Sequence, residues 1–188
     1  MKRPVYWTFL LGTILQWTAG LASAATIPVL TLDTLIQNSE YVVYGRTVGA
    51  RSFWDPTTNT IWTETELLVL DGAKGRAGKT LLITEPGGVL GDIAHLFPGL
   101  PRFTDGEEVV LFLYGAPGNR IRVLGLRQGV YDVVRDPDSG ERTVRPSVEP
   151  AELMVPDPRV ALRSQPGQVK TRRLSEFMAT IREKAAQR

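Results

Sequence analysis

Few residues in this chain can do chemistry. His95 is the one histidine and cysteine is absent, so the usual zinc ligand sets and a thiol nucleophile are unavailable. A Ser-His-Asp arrangement would have to recruit His95 from an irregular stretch. Glu64 and Glu66 lie two apart in a segment of alternating pattern. That spacing puts both carboxylates on one strand face about 6.6 Å apart, a separation that carboxylate-pair chemistry can use. A hydrolase using His95 with Asp92, or the Glu64 and Glu66 pair, is therefore one alternative, although neighbouring solvent-facing acids on a strand are common.

Two sharper motifs lose their meaning in context. Ala73-Lys74-Gly75-Arg76-Ala77-Gly78-Lys79-Thr80 fits a relaxed phosphate-loop pattern, but that chemistry needs the loop to open a helix whose first amides point at the anion. Here it runs into Leu81-Leu82-Ile83 and then Pro86-Gly87-Gly88, the grammar of a strand, so a β-turn and no nucleotide is expected. Asp136, Asp138 and Gly140 resemble the start of a calcium loop, yet Ser147 stands where a bidentate glutamate would be needed. A hairpin turn explains the same residues, and no metal or cofactor is expected. Trp54, Trp62, Tyr41, Tyr44 and Tyr131 could offer stacking platforms to a polysaccharide. Packing in core and edges is the commoner use of such rings.

The elements that must position these groups read mainly as strands. Residues 41–70 predict two strands joined by the turn Asp55-Pro56-Thr57-Thr58-Asn59-Thr60, with Ile61, Thr63, Thr65, Leu67 and Val69 alternating against Trp62, Glu64, Glu66, Leu68 and Leu70. Gly45 marks a bulge or a close backbone approach. Further strands are expected over 80–84, 107–114 (the most apolar), 121–126, 129–134 and, after a hairpin turn at 136–140, 142–145. Thr31 as a cap with Leu32, Leu35 and Ile36 predicts a short helix over 32–38, and Leu174, Phe177, Met178 and Ile181 predict an amphipathic helix to about 186 that docks on its own body. The segment 86–106 is long, punctuated by glycine and proline, and without clear period; a loop of that length is usually functional. Its residues Val89, Leu90, Ile93, Leu96, Phe97, Leu100 and Phe103 predict that it packs down on the strands.

Lys2 and Arg3, an uncharged apolar run over 5–21 and Ala22-Ser23-Ala24 read as a secretory signal peptide over 1–24. The remainder is expected to be secreted or periplasmic, with no integral membrane span after signal removal. Zero cysteines suit a bacterial exported protein, held together by burial alone. The formal excess of +2 is accounted for by Lys2 and Arg3, so no nucleic-acid partner is expected. Residues 25–158 hold 12 basic against 18 acidic side chains and 159–188 hold 8 against 2, so the basic end is expected to fold back on an acidic body or to meet an anionic surface. The domain plan is a β-barrel over 25–145, a proline-rich strap over 146–170 and a helix over 171–188.

The runs TLDTLIQNSEYVVYGRTV, IWTETELLVLDGAKG, EPGG, PRFTDGEEVVLFLY and RVLGLRQGVYDV resemble a group of exported bacterial proteins of unknown function, over about 31–134. More distantly, the order of a G-x-V strand, a strand ending in Lys-Gly and a strand of G-x-x-V-L-F-L type is similar to netrin-like barrels of the tissue-inhibitor-of-metalloproteinase type. Inhibitory members of that class reach a metal through an amino-terminal cysteine, and this chain has none. The resemblance implies a barrel used as a binding surface. The expected fold is thus mainly β: a small closed OB-like barrel with a short leading helix and a carboxy-terminal amphipathic helix. The expected function is a non-catalytic module that binds another exported protein through the 86–106 loop, with Pro86, Gly87, Gly88, His95, Phe97 and Phe103 as contact residues. The alternative is a glycan bound through Trp54 and Trp62.

Overall fold

The computed structural model describes residues 28–148 and 171–187. The expected signal segment and the strap beyond Val148 lie outside the described residues. The fold is mainly β with two α-helices, α1 (Leu32–Asn38) and α2 (Leu174–Ala186). The strands are β1 (Tyr41–Asp55), β2 (Thr60–Lys74), β3 (Thr80–Pro86), β4 (Gly88–Leu90), β5 (Ile93–His95), β6 (Glu108–Ala116), β7 (Arg120–Val123), β8 (Val130–Arg135), β9 (Arg142–Pro146) and β10 (Arg172–Arg173). No helix among the described residues is long and apolar enough to cross a membrane.

The long β1–β2 hairpin organises one large sheet. β1 pairs with β2 along its length and with β6 over Tyr41 to Arg46, β2 pairs with β3, and β6 pairs with β7. A single parallel pair, Ile83 with Ile121, joins β3 to β7 and completes a ring of five strands. β8, β9 and β10 extend the sheet from β6. The β1–β2 pairing shifts register at Val42/Val43, Tyr44/Gly45 and Thr47/Gly49, and across these irregularities β1 bends so that it leaves β6 after Arg46 and continues with β2 alone. Gly45 is obligatory at this bend, because a Cβ would lie 2.6 Å from the Leu68 carbonyl oxygen.

The two-residue period of β6 sorts its side chains into two cores. Val109, Leu111 and Leu113 point into the ring with Val43, Leu67, Ile83, Val123 and Val130. Val110 and Phe112 face the other way, against Leu35 and Ile36 of α1 and Leu174, Phe177, Met178 and Ile181 of α2. Each such side chain contributes about 1.5–3 kcal/mol on burial. The Thr31 hydroxyl accepts the Thr34 N–H at the start of α1, and Lys74 donates to the Ile36 and Ser39 carbonyls at its end, both at 2.6 Å. The basic end lies on the acidic body through Arg173 to Glu141, Arg182 to Asp71 and Lys184 to Asp33. These pairs are solvated, so the apolar face of α2 carries the docking.

Three expectations need correction. Segment 86–106 is not irregular throughout, since β4 and β5 form a two-stranded sheet closed by Gly91-Asp92. Pro146 ends β9 rather than opening a strap. The strand expected over 121–126 stops at Val123, where Gly125 and Leu126 take positive φ and start a one-turn 3₁₀ helix that also takes in Gly129.

Candidate functional site

The β4–β5 hairpin forms a flap across one end of the ring. Its entry is fixed by Gly87, whose N–H donates to the Ile61 carbonyl at 2.7 Å, and by Gly88 at φ +139°, where a Cβ would overlap the hydroxyls of Thr63 and Ser52. Its exit is fixed by His95. Nδ1 accepts the Ile61 N–H at 3.2 Å and the Thr60 hydroxyl at 2.7 Å, which places the neutral ring's proton on Nε2. Trp54 meets the imidazole edge-on with centroids 5.8 Å apart. His95 is thus a pin holding the flap to β2, and among the described residues it makes no hydrogen bond to a carboxylate. One oxygen of Glu64, Oε2, accepts from both Nε and Nη2 of Arg51, at 2.9 and 2.7 Å. Glu64 and Glu66 line one surface depression with Arg51 and Leu82, as their two-residue spacing predicts.

Outward, the flap is apolar on both faces. Leu90, Ile93, Leu96 and Trp54 are each between 40 % and 65 % exposed, with Asp92 in the turn, and Val89 and Phe97, also exposed, border the cleft below. The prediction that this segment packs down therefore holds only for part of it. Leu100 is half-buried, Pro101 is buried and Phe103 packs against the core inside the ring, whereas the hairpin turns its aliphatic side chains to water. Such exposure of grouped apolar side chains is uncommon on a protein that works alone.

Beneath the flap lies a cleft of about 330 Å³. Its wall is the inward face of β1 and β2 beyond Leu67, where the core changes from aliphatic to hydroxyl: Ser52 and Thr63 share a 3.0 Å hydrogen bond, Thr63 donates to the Gly87 carbonyl, and Thr65 lies deeper. Phe97, Leu100 and Phe103 line the opposite side with Arg102 at the rim. Of the predicted contact residues, Pro86, Gly87, Gly88, Phe97 and Phe103 meet here and His95 anchors the same flap.

Trp62 does not join them. Its ring is 8 % exposed, its indole N–H donates to Thr58, and the Arg120 guanidinium lies over it at 4.1 Å, leaving no open face for a sugar to stack on. Around it runs a network that sequence reading missed. Arg120 pairs with Asp55 at 2.5 Å, and this bond, aided by the Thr57 N–H against the cost of burial, holds the Asp55 carboxyl down at about 2. Arg122 grips Glu85 at 2.8 and 3.1 Å, while the other oxygen of Glu85 accepts the Val123 N–H at 2.7 Å. β3 and β7 share only one residue pair, so Glu85 stands in for the missing strand partner of Val123. Burial pushes the Glu85 carboxyl up despite those donors. The only signal in the sequence was polar residues at alternating positions of otherwise apolar strands, which any solvent-facing strand also shows.

A second hub lies on the far side of β1. Glu108 receives Arg46 at 2.7 Å, Arg142 at 2.8 Å and the Tyr44 hydroxyl. Burial alone would raise the Glu108 carboxyl, but these donors hold it at about 2, and burial with the adjacent carboxylate pushes the Tyr44 hydroxyl up to about 12. At the remaining motifs, the 75–79 turn opens β3 rather than a helix, and the Asp136 carboxylate accepts from Ser139 and Asp138 within its own turn. No known family model matches this chain, and no curated protein matches it in sequence.

Proposed function

We propose that this protein is an exported, non-catalytic binding module and that the outward face of the flap, centred on Leu90 and Ile93, is its contact surface for another exported protein. The observation that carries this reading is an ordered hairpin, pinned by His95 and Gly88, that displays aliphatic side chains on both faces. An ordered apolar projection costs little entropy on binding and supplies anchors for a partner's pocket. Asp92 at the tip favours protein over lipid, because a carboxylate is costly in hydrocarbon and can pair with a partner's cation. The scaffold reading is an OB-like barrel. A ring in the order β1, β2, β3, β7, β6 and back to β1, antiparallel except for β3 with β7, supports it, as does the similarity of motifs to netrin-like barrels. Polysaccharide binding has less support, since Trp62 is covered.

The test is affinity capture from the exported fraction of the producing cell with the wild-type chain and with Leu90→Asp/Ile93→Asp. The double variant is expected to lose its captured partners at least tenfold while its Tm stays within about 3 °C, because both residues are solvent-facing. An identical set of partners at equal yield would refute the proposal.

A further inference from the structure

The cleft under the flap carries an inference separate from the outer surface. Thr65 is 5 % exposed, lies on the cleft wall, and its hydroxyl has no hydrogen-bond partner among the described residues. No fully enclosed polar side-chain atom among the described residues lacks a partner, so this hydroxyl opens onto the space of the cleft. A threonine buried to that degree is normally satisfied by the protein around it. Valine would fill the same volume without desolvating a hydroxyl, so the group is costly unless something else bonds it.

The surroundings define that partner's chemistry. Ser52 and Thr63 extend the hydroxyl wall above Thr65, while Phe97, Leu100 and Phe103 form an apolar wall facing it. At the rim Arg102 is exposed, and its only hydrogen bond among the described residues is a long one, 3.5 Å, to the His95 carbonyl. No carboxylate among the described residues pairs with it. Glu85, the one acid on the cleft, is taken up by Arg122 and the Val123 N–H. A volume of about 330 Å³ suits a ligand the size of one amino-acid residue with its flanking groups. We propose that the cleft binds a small amphipathic carboxylate, with its apolar side chain between Phe97 and Phe103, its polar groups on the hydroxyls of Thr65 and Thr63, and its carboxylate on Arg102. Such a group is supplied equally by the free carboxyl end of a peptide and by a simple organic acid.

Titration of the ¹⁵N-labelled full chain with N-acetyl-L-phenylalanine, its primary amide and 3-phenylpropionate tests this. The acid is expected to saturate with a dissociation constant of about 1 mM or tighter, shifting the amides of Thr63, Thr65, Gly88, Leu100, Arg102 and Phe103. The amide is expected to bind at least fivefold more weakly. Tighter binding of N-acetyl-phenylalanine than of 3-phenylpropionate would mark a peptide end as the source, and equal binding a simple acid; either supports the site. Thr65→Val is expected to fold with unchanged or higher Tm and to weaken the acid at least fivefold, and Arg102→Gln to erase the preference for acid over amide. No saturable shift at the cleft with wild-type protein, which would leave the space to water, overturns the proposal. So does equal affinity in Thr65→Val or for the amide. Leu90→Asp leaves this wall intact, so loss of outer-surface partners and loss of cleft binding are read independently.

Discussion

Glu108 and Asp55 set the response of this protein to acid. Both carboxyls are held at about 2 in the folded chain, against about 4 in an unfolded one. A depressed carboxyl contributes stability that is fully present above its unfolded value and is lost as pH falls through its folded value. Thermal stability is therefore expected to be flat above about pH 5 and to fall toward pH 2, and Glu108→Gln should lower Tm at pH 7 and flatten that acid limb. An unchanged slope in the variant, measured by thermal unfolding across this range, would remove Glu108 from the account. Glu85 has the opposite sign, since burial raises it and protonation relieves the cost, so it does not cause the acid loss. Its dependence on Arg122 is testable separately: Arg122→Met should cost about 3 kcal/mol by denaturant unfolding, because it strands a buried charge, and a cost below 1 kcal/mol would contradict this. None of these pairings was legible beforehand. Arg120, Arg122 and Glu85 are distant in sequence from Trp62 and Asp55, and only the ring brings them together.

At the scale of elements, the flap is the part whose behaviour depends on single contacts. His95→Ala removes the acceptor of the Ile61 N–H and the bond from Thr60. It should speed amide exchange across 88–95 at least tenfold while leaving β6 protected, since local opening is separable from global unfolding. Uniform acceleration across both would contradict the pin. Much of the element plan was readable: α1 was expected over 32–38 and occurs there, and the 55–60 turn joins β1 and β2 where its Asp-Pro and Asn residues said it would. Those elements carry caps, turn residues and a clear period. The flap was not legible because strands of three residues are too short to show a period, although Gly91-Asp92 between them is a hairpin signal. Its outward exposure escaped for a different reason, as sequence records that a side chain is apolar but not whether anything covers it.

The whole molecule is two cores on either side of shared strands, with β1 and β6 in both. Ending the chain before Arg172 would uncover Phe112, Val110 and the face that Phe177 and Ile181 seal, so such a truncation is expected to be insoluble or molten, and a Phe177→Ala full-length chain to lose about 3–5 kcal/mol. A truncated chain with sharp, cooperative unfolding would contradict this division. The seven longer strands and the docked final helix followed from periodicity, whereas the short β4, β5 and β10 did not, nor did the closing of the ring, which hangs on one residue pair between β3 and β7. The proposed role of this framework is to present the flap. Its most direct measurement is photocrosslinking in the producing cell, with a photoreactive phenylalanine derivative replacing Ile93 on the flap or Val134 on β8, both exposed apolar positions. A discrete adduct with another exported protein from position 93, absent from position 134 and lost when Leu90→Asp is added, is the result predicted. The same adducts from both positions, or none from 93, would contradict it.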